Sequence, residues 1–215
     1  MKYVIMKKPD SLIFDMDGTL WDNLDSLEIV WNKGLETLGY EQRVTRDSLL
    51  GLMGKEARLL LDAIVPEASI EAQDKLFDEV LKEYVAYHPF IKPTIFDGVY
   101  EGLEKLSKKY KLFLLSNCEE GGLVNFMNHT KTTHLFDDYM EHGQNLKPKA
   151  FNLQLLKERN NLDSPIYVGD THSDGVETRK AGMPFAFVAY GFGSTDTYDI
   201  KFDTFDELTE YFMNL

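Results

Sequence analysis

A single cysteine, Cys118, among 215 residues excludes an intrachain disulfide and leaves no thiolate set for a structural zinc site. Basic residues are also scarce: 23 Lys and Arg stand against 36 Asp and Glu, a formal net charge of −13. A nucleic-acid binder needs a basic footprint that releases phosphate counterions. No nucleic-acid partner is therefore expected, and any phosphate must be held locally, by a cation or a few basic groups. Long hydrophobic runs are missing too. The longest charge-free apolar stretch covers about residues 182–193, far short of the roughly 20 residues of a membrane helix, so no membrane partner is expected. Residues 1–9 contain no apolar h-region and do not read as a signal peptide. The expectation is a soluble, cytoplasmic, acidic protein. What is present is an ordinary globular mix, 43% hydrophobic and 27% charged, with enough apolar content to form a core without staples.

Short β-rich apolar runs alternate with segments of helical period in the C-terminal half, which predicts βαβ units and a parallel sheet. Strands are expected at 11–14, 111–115, near 139–140, at 165–168 and at 185–189, with helices at 98–109, 120–130, 148–159, 174–181 and 206–213. Residues 23–92 break this rhythm with helical patterns at 22–38, 48–64 and 70–87 and no convincing strand. The expected architecture is an α/β, Rossmann-like parallel-sheet core, residues 1–22 and 93–215, interrupted after its first strand by a small all-helical domain, residues 23–92.

Four segments stand at or after expected strand ends, where open parallel sheets bind ligands. Asp15-Met16-Asp17-Gly18-Thr19 follows the first strand. Carboxylates this close repel unless a cation or a shared proton intervenes; capping of a strand end is the competing reading. Ser116-Asn117 ends the second strong strand and offers a hydroxyl and an amide to an anion, or a helix N-cap. Lys147-Pro148 enters a helix, so its lysine could bring charge to an anion or be solvated. Gly169-Asp170-Thr171-His172-Ser173-Asp174 ends another strand with two carboxylates, suited to a hard divalent ion or to a turn and cap. His172 reads as loop surface.

Together and in this order, these residues resemble the haloacid dehalogenase superfamily of phosphatases. Its pattern is a strand ending Asp-x-Asp-Gly-Thr, a later strand ending in Ser or Thr, a downstream Lys, and a strand ending Gly-Asp-x-x-x-Asp. The helical insertion is similar to the small cap of phosphoglycolate-phosphatase-like and β-phosphoglucomutase-like members. Two departures stand out. Lys-Pro-x-Pro is here Lys147-Pro148-Lys149-Ala150, and the Ser that often follows Thr-Leu-x-Asp is here Asn23.

The resemblance implies a Mg²⁺-dependent phosphatase of small phosphorylated metabolites that works through an aspartyl-phosphate, with phosphoglycolate phosphatase the nearest named activity. Asp15 would be the nucleophile and Asp17 the general acid–base. Ser116 and Lys147 would bind and neutralise the phosphoryl group, with Asn117 and Thr19 in support. Mg²⁺ would be held by Asp15, Asp170 and the Asp17 backbone carbonyl, with Asp174 acting through water. The cap would close over the site about hinges near 20–23 and 90–93. Lys55 and Arg58, after the turn Gly51-Leu52-Met53-Gly54, are candidates for a second anionic group on the substrate; a solvated lysine and an i,i+4 partner of Asp62 are the alternative. Competing readings are a β-phosphoglucomutase-like phosphosugar mutase and a non-catalytic binding protein on the same fold. A metal-free dehalogenase is disfavoured by Asp17. A monomer or homodimer is expected.

Overall fold

The computed structural model describes residues 8–87, 90 and 93–215. The segment 1–7 and residues 91 and 92 of the expected second hinge lie outside them. The chain divides into two compact units, Met1–Trp21 with Ile95–Leu215, and Asp22–Thr94.

The first unit is built on a six-stranded parallel sheet. Its strands are β1 (Ser11–Phe14), β4 (Lys111–Ser116), β5 (Asp138–Glu141), β6 (Pro165–Gly169), β7 (Phe185–Val188) and β8 (Ile200–Phe202), in the order β5-β4-β1-β6-β7-β8. β1 is flanked by β4 and β6, with Leu12 in register with Leu112 on one side and Ile166 on the other. The connections run outward in opposite senses from β1, so its carboxyl end is the topological switch point.

Strand periodicity divides the core in two. Leu12 and Phe14 pack into one apolar layer with residues of α5 (Val99–Leu106), α6 (Gly122–Thr130) and α9 (Phe205–Asn214), whereas Ile13, Phe113 and Tyr167 face the other, with Leu153 and Leu156 of α7 (Lys149–Arg159). Helices on both faces explain why β1 is fully buried and reads as a continuous apolar run rather than an alternating one. α8 (His172–Lys180) begins at Thr171, whose hydroxyl accepts from the Asp174 N–H in a capping box.

The sequence places no strand at β8. Three residues, Ile200-Lys201-Phe202, alternate buried, half-buried, buried, and one repeat of a period-two pattern does not stand out against a loop.

The second unit is helical: α1 (Leu24–Thr37), α2 (Arg46–Leu50), α3 (Ala57–Ile64) and α4 (Ile70–Tyr87). The single pattern read at 48–64 is two helices, because the glycine-bounded turn after Leu50 interrupts it and Gly54 takes a left-handed φ of 76°. α1 and α4 approach closely at Gly34, where an added Cβ would stand 2.7 Å from Val80 Cγ2. Two short paired strands, β2 (Trp21–Asp22) and β3 (Thr94–Ile95), carry the chain out of the first unit and back into it.

Candidate active site

Asp15 directly follows β1, and its N–H donates to the Val168 carbonyl over 2.8 Å, extending the sheet ladder by one residue. That bond fixes the backbone carrying the first carboxylate at the switch point. The chain then turns sharply: the Met16 carbonyl accepts from the N–H groups of Thr19, Leu20 and Trp21, and the Gly18 N–H donates to the Trp21 carbonyl. Gly18 has φ +81°, and a Cβ there would fall 2.2 Å from Asp170 Oδ2, so the position requires glycine both for conformation and for space.

Asp170 follows β6. Its Oδ2 accepts from the Phe192 N–H over 2.7 Å, and the Thr19 hydroxyl lies 3.4 Å from its Oδ1. Gly191 lets the 189–193 loop close on this carboxylate, since a Cβ there would lie 2.4 Å from Asp170 Cβ. Asp174, in the first turn of α8, serves two structures at once. Its Oδ2 accepts from the Thr171 N–H and hydroxyl, 2.9 and 2.7 Å, while its Oδ1 accepts from Lys149 Nζ over 2.6 Å. One side chain thus caps α8 and pairs with the lysine.

The lysine at this centre is Lys149, not Lys147. Lys149 Nζ donates to Asp15 Oδ1 (3.3 Å), Asp174 Oδ1 (2.6 Å) and the Tyr167 hydroxyl (3.0 Å), and its side chain is 2% exposed. The Tyr167 hydroxyl in turn donates to the Leu115 carbonyl on β4. Lys147 is exposed; its carbonyl meets His142 and accepts from the Asn152 amide, and its N–H donates to Asn145 Oδ1. The reason lies in helix phase. The buried positions of α7 are Lys149, Asn152, Leu153 and Leu156, spaced i, i+3, i+4, i+7, which puts Lys149 on the inward stripe and leaves Lys147 before the first turn. That stripe was available in the sequence as a signal that Lys149, rather than Lys147, reaches the carboxylates.

Ser116 is the buried last residue of β4, and its Oγ accepts from the Cys118 N–H over 3.2 Å. Asn117 follows it, half-buried. The loop after them is held by Glu141 at the end of β5, whose carboxylate accepts from the Gly121 and Leu123 N–H groups at 2.9 and 2.6 Å. Asp17 is half-buried, and its Oδ1 accepts from the Trp21 indole over 2.7 Å. His172 is exposed, beside the Thr195 hydroxyl.

The two predicted cap cations differ. Arg58 is engaged within its own unit, donating to Gln73 Oε1 over 2.8 Å and pairing with Asp74. Asp62, the expected partner, accepts instead from the Gln73 amide. Lys55 is exposed.

Ligand atoms of Asp15, Asp170 and Asp174 all lie within 4.8 Å of one another, and all three residues are buried. One ammonium does not balance three carboxylates. Burial pushes the Asp15 carboxyl up to about 7 against the pull of Lys149, and Asp174 and Asp17 add to the rise. Burial likewise lifts Asp170 well above the ordinary range, with Asp174 and Asp15 adding to it. For Lys149, burial works against the charge, but Asp15 and Asp174 reverse it and hold the ammonium well above the usual lysine value. A cluster that holds protons so strongly has the charge deficit a cation would fill, and its all-oxygen donor set suits a hard divalent ion. The residues fit a divalent metal.

The chain is similar to known proteins in sequence and in fold. The chain is 26% identical over 191 residues to a phosphoglycolate phosphatase of Rhodobacter capsulatus, covering 86% of each chain. It is also 26% identical over 193 residues to one of Aliivibrio fischeri, covering 84% of each. A predicted phosphatase from Clostridium acetobutylicum has the same fold, with a TM-score of 0.85 at 21% identity over 97% of this chain and 100% of that one. Among the described residues, no helix is long and apolar enough to cross a membrane. The haloacid dehalogenase-like hydrolase family model matches residues 12–188, and with the parallel sheet and the acidic cluster at its switch point, the chain belongs to that family.

Proposed function

We propose that the protein is a Mg²⁺-dependent phosphatase of small phosphomonoesters that works through an aspartyl-phosphate on Asp15. One observation carries the reading: Asp15 stands at the switch point with Lys149 Nζ 3.3 Å from its Oδ1 and Asp170 and Asp174 beside it. A carboxylate and a phosphoryl dianion repel, and an active site must remove that repulsion before attack. Lys149 offsets part of it. Asp15, Asp170 and the Asp17 carbonyl would hold a divalent cation, which would supply further charge neutralisation.

Asp15 attacks phosphorus in line, and the bond from phosphorus to the ester oxygen breaks. Asp17 gives its proton to that departing oxygen, then takes one from the water that attacks the aspartyl-phosphate. Inorganic phosphate leaves and Asp15 is restored. Ser116 hydrogen-bonds the transferring phosphoryl group, with Asn117 in support. In the helical unit, Lys55 is assigned to a second anionic group of the substrate. The names of the relatives make 2-phosphoglycolate the first substrate to test.

Asp15→Asn keeps the shape and removes the nucleophile. Screened for phosphate release against a panel of phosphomonoesters with Mg²⁺ present, the wild type is expected to turn over and this variant not to. Turnover by a folded Asp15→Asn protein would remove Asp15 from the chemistry. Appearance of an isomerised sugar phosphate without free phosphate would identify a mutase instead.

A further inference from the structure

Trp21 occupies the position that the Thr-Leu-x-Asp pattern leaves open. Its side chain is nonetheless buried, 1% exposed, and fixed edge-to-face against Phe126 of α6, with ring centroids 5.1 Å apart. His129, one turn further along α6, lies 6.2 Å from the indole. The indole N–H therefore has a set direction, and it donates to Asp17 Oδ1 over 2.7 Å. The backbone closes the same loop: residues 17 and 21 form a β-bridge, and the Gly18 N–H donates to the Trp21 carbonyl over 2.9 Å.

We infer that Trp21 is a positioning residue for Asp17: its indole fixes the Asp17 carboxyl rotamer and assigns Oδ1 the acceptor role, so that the proton passed to the leaving group is carried on Oδ2. The inference rests on the general acid–base reading of Asp17 above. Its physical basis is simple. An indole N–H donates and never accepts, so the oxygen it engages takes the carbonyl role when the carboxyl is protonated. General acid catalysis requires the remaining oxygen to sit within hydrogen-bond reach of the departing atom, and a carboxyl free to turn about its last torsion would present the proton in many directions. Phe126 and His129 thus act on proton transfer through Trp21 without touching the phosphate.

The test is leaving-group dependence. For aryl phosphates, kcat/KM reports steps up to formation of the aspartyl-phosphate, and the need for a proton grows as the departing phenol becomes less acidic. Trp21→Phe keeps a ring against Phe126 and removes the N–H. It is expected to leave kcat/KM for p-nitrophenyl phosphate near wild type and to lower that for phenyl phosphate about tenfold, a fraction of the 10²–10⁴ that general acid catalysis supplies. Asp17→Ala is run beside it. A steep dependence in Asp17→Ala with a wild-type dependence in Trp21→Phe overturns the role of Trp21 and leaves the role of Asp17 standing. A flat dependence in Asp17→Ala removes the acid itself, and the inference with it. An equal loss for both substrates in Trp21→Phe marks a structural residue and also overturns the proposal. Should Trp21→Phe not fold, the wild-type indole N–H resonances decide the matter. The chain has two tryptophans, and Asp17→Ala is expected to shift the Trp21 signal and leave that of Trp31 in place. Two unmoved signals would sink the contact.

Discussion

Lys149 Nζ is held more closely by Asp174 than by Asp15, at 2.6 Å against 3.3 Å. The nearer carboxylate is itself tied to the first turn of α8 through Thr171. On the mechanism proposed above, the ammonium is anchored by a residue outside the attack and leaned toward Asp15, the one assigned to make it. Electrostatic preorganisation of this kind costs no rearrangement during the reaction.

From this geometry, Lys149→Met is expected to lower kcat by roughly 10²-fold or more, the usual loss when a preorganised charge-stabilising donor is removed. Lys147→Ala, two residues away on the surface, is expected to leave both kcat and the urea midpoint near wild type. Steady-state kinetics and urea denaturation of the two purified variants check both halves. Equal losses would remove the distinction between the two lysines, and the reverse ranking would return the role to Lys147.

The pH dependence of stability has a definite sign. In metal-free protein the Asp15 carboxyl is raised from 3.8 to about 7 in the folded state, and Asp170 is raised as well. Between those values the folded chain holds more protons than the unfolded one. This contribution to stability is therefore present at low pH and is lost as pH rises through the folded pKa. A divalent cation needs the deprotonated carboxylates and binds the folded cluster. The Tm gain on adding Mg²⁺ to chelator-treated protein is accordingly expected to be larger at pH 8 than at pH 5. Calorimetric scans at both values would show it, and a gain independent of pH would contradict it.

The helical unit yields a contrast between two cations. Arg58 is committed to Gln73 and Asp74, and Gln73 is buried. Arg58→Ala leaves that amide short of a partner and is expected to cost about 1–2 kcal/mol of stability without reordering substrate preference. Lys55→Ala is expected to do the opposite, reordering kcat/KM across a phosphometabolite panel while leaving the denaturation midpoint in place. An unchanged substrate ranking in Lys55→Ala would withdraw it from recognition.

Much of this was legible in the chain because strand ends announce themselves. Apolar runs stopping at Asp15, Ser116 and Gly169-Asp170 mark both the elements and the rim where ligands bind. The Lys-Pro dipeptide points to Lys147, whereas the phase of the following helix points to Lys149, which shares a stripe with Leu153 and Leu156. Other features lay beyond one-dimensional reading. The Trp21–Asp17 bond depends on a turn in which one carbonyl, that of Met16, accepts three N–H groups. Arg58 meets its partners on α4, which spacing within α3 could not reveal.

The central position of β1 bears on how the chain assembles during synthesis. Residues 11–14 find their neighbours at 111–114 and 165–168, so the middle of the sheet stays open until residue 168 has left the ribosome. The insertion, bounded by Asp22 and Thr94, has all its partners within reach long before that. Such long-range parallel pairing is slow and leaves strand edges bare meanwhile. The growing chain thus carries the whole of the helical insertion while the strand at residues 11–14 still waits for residues 165–168, its second neighbour.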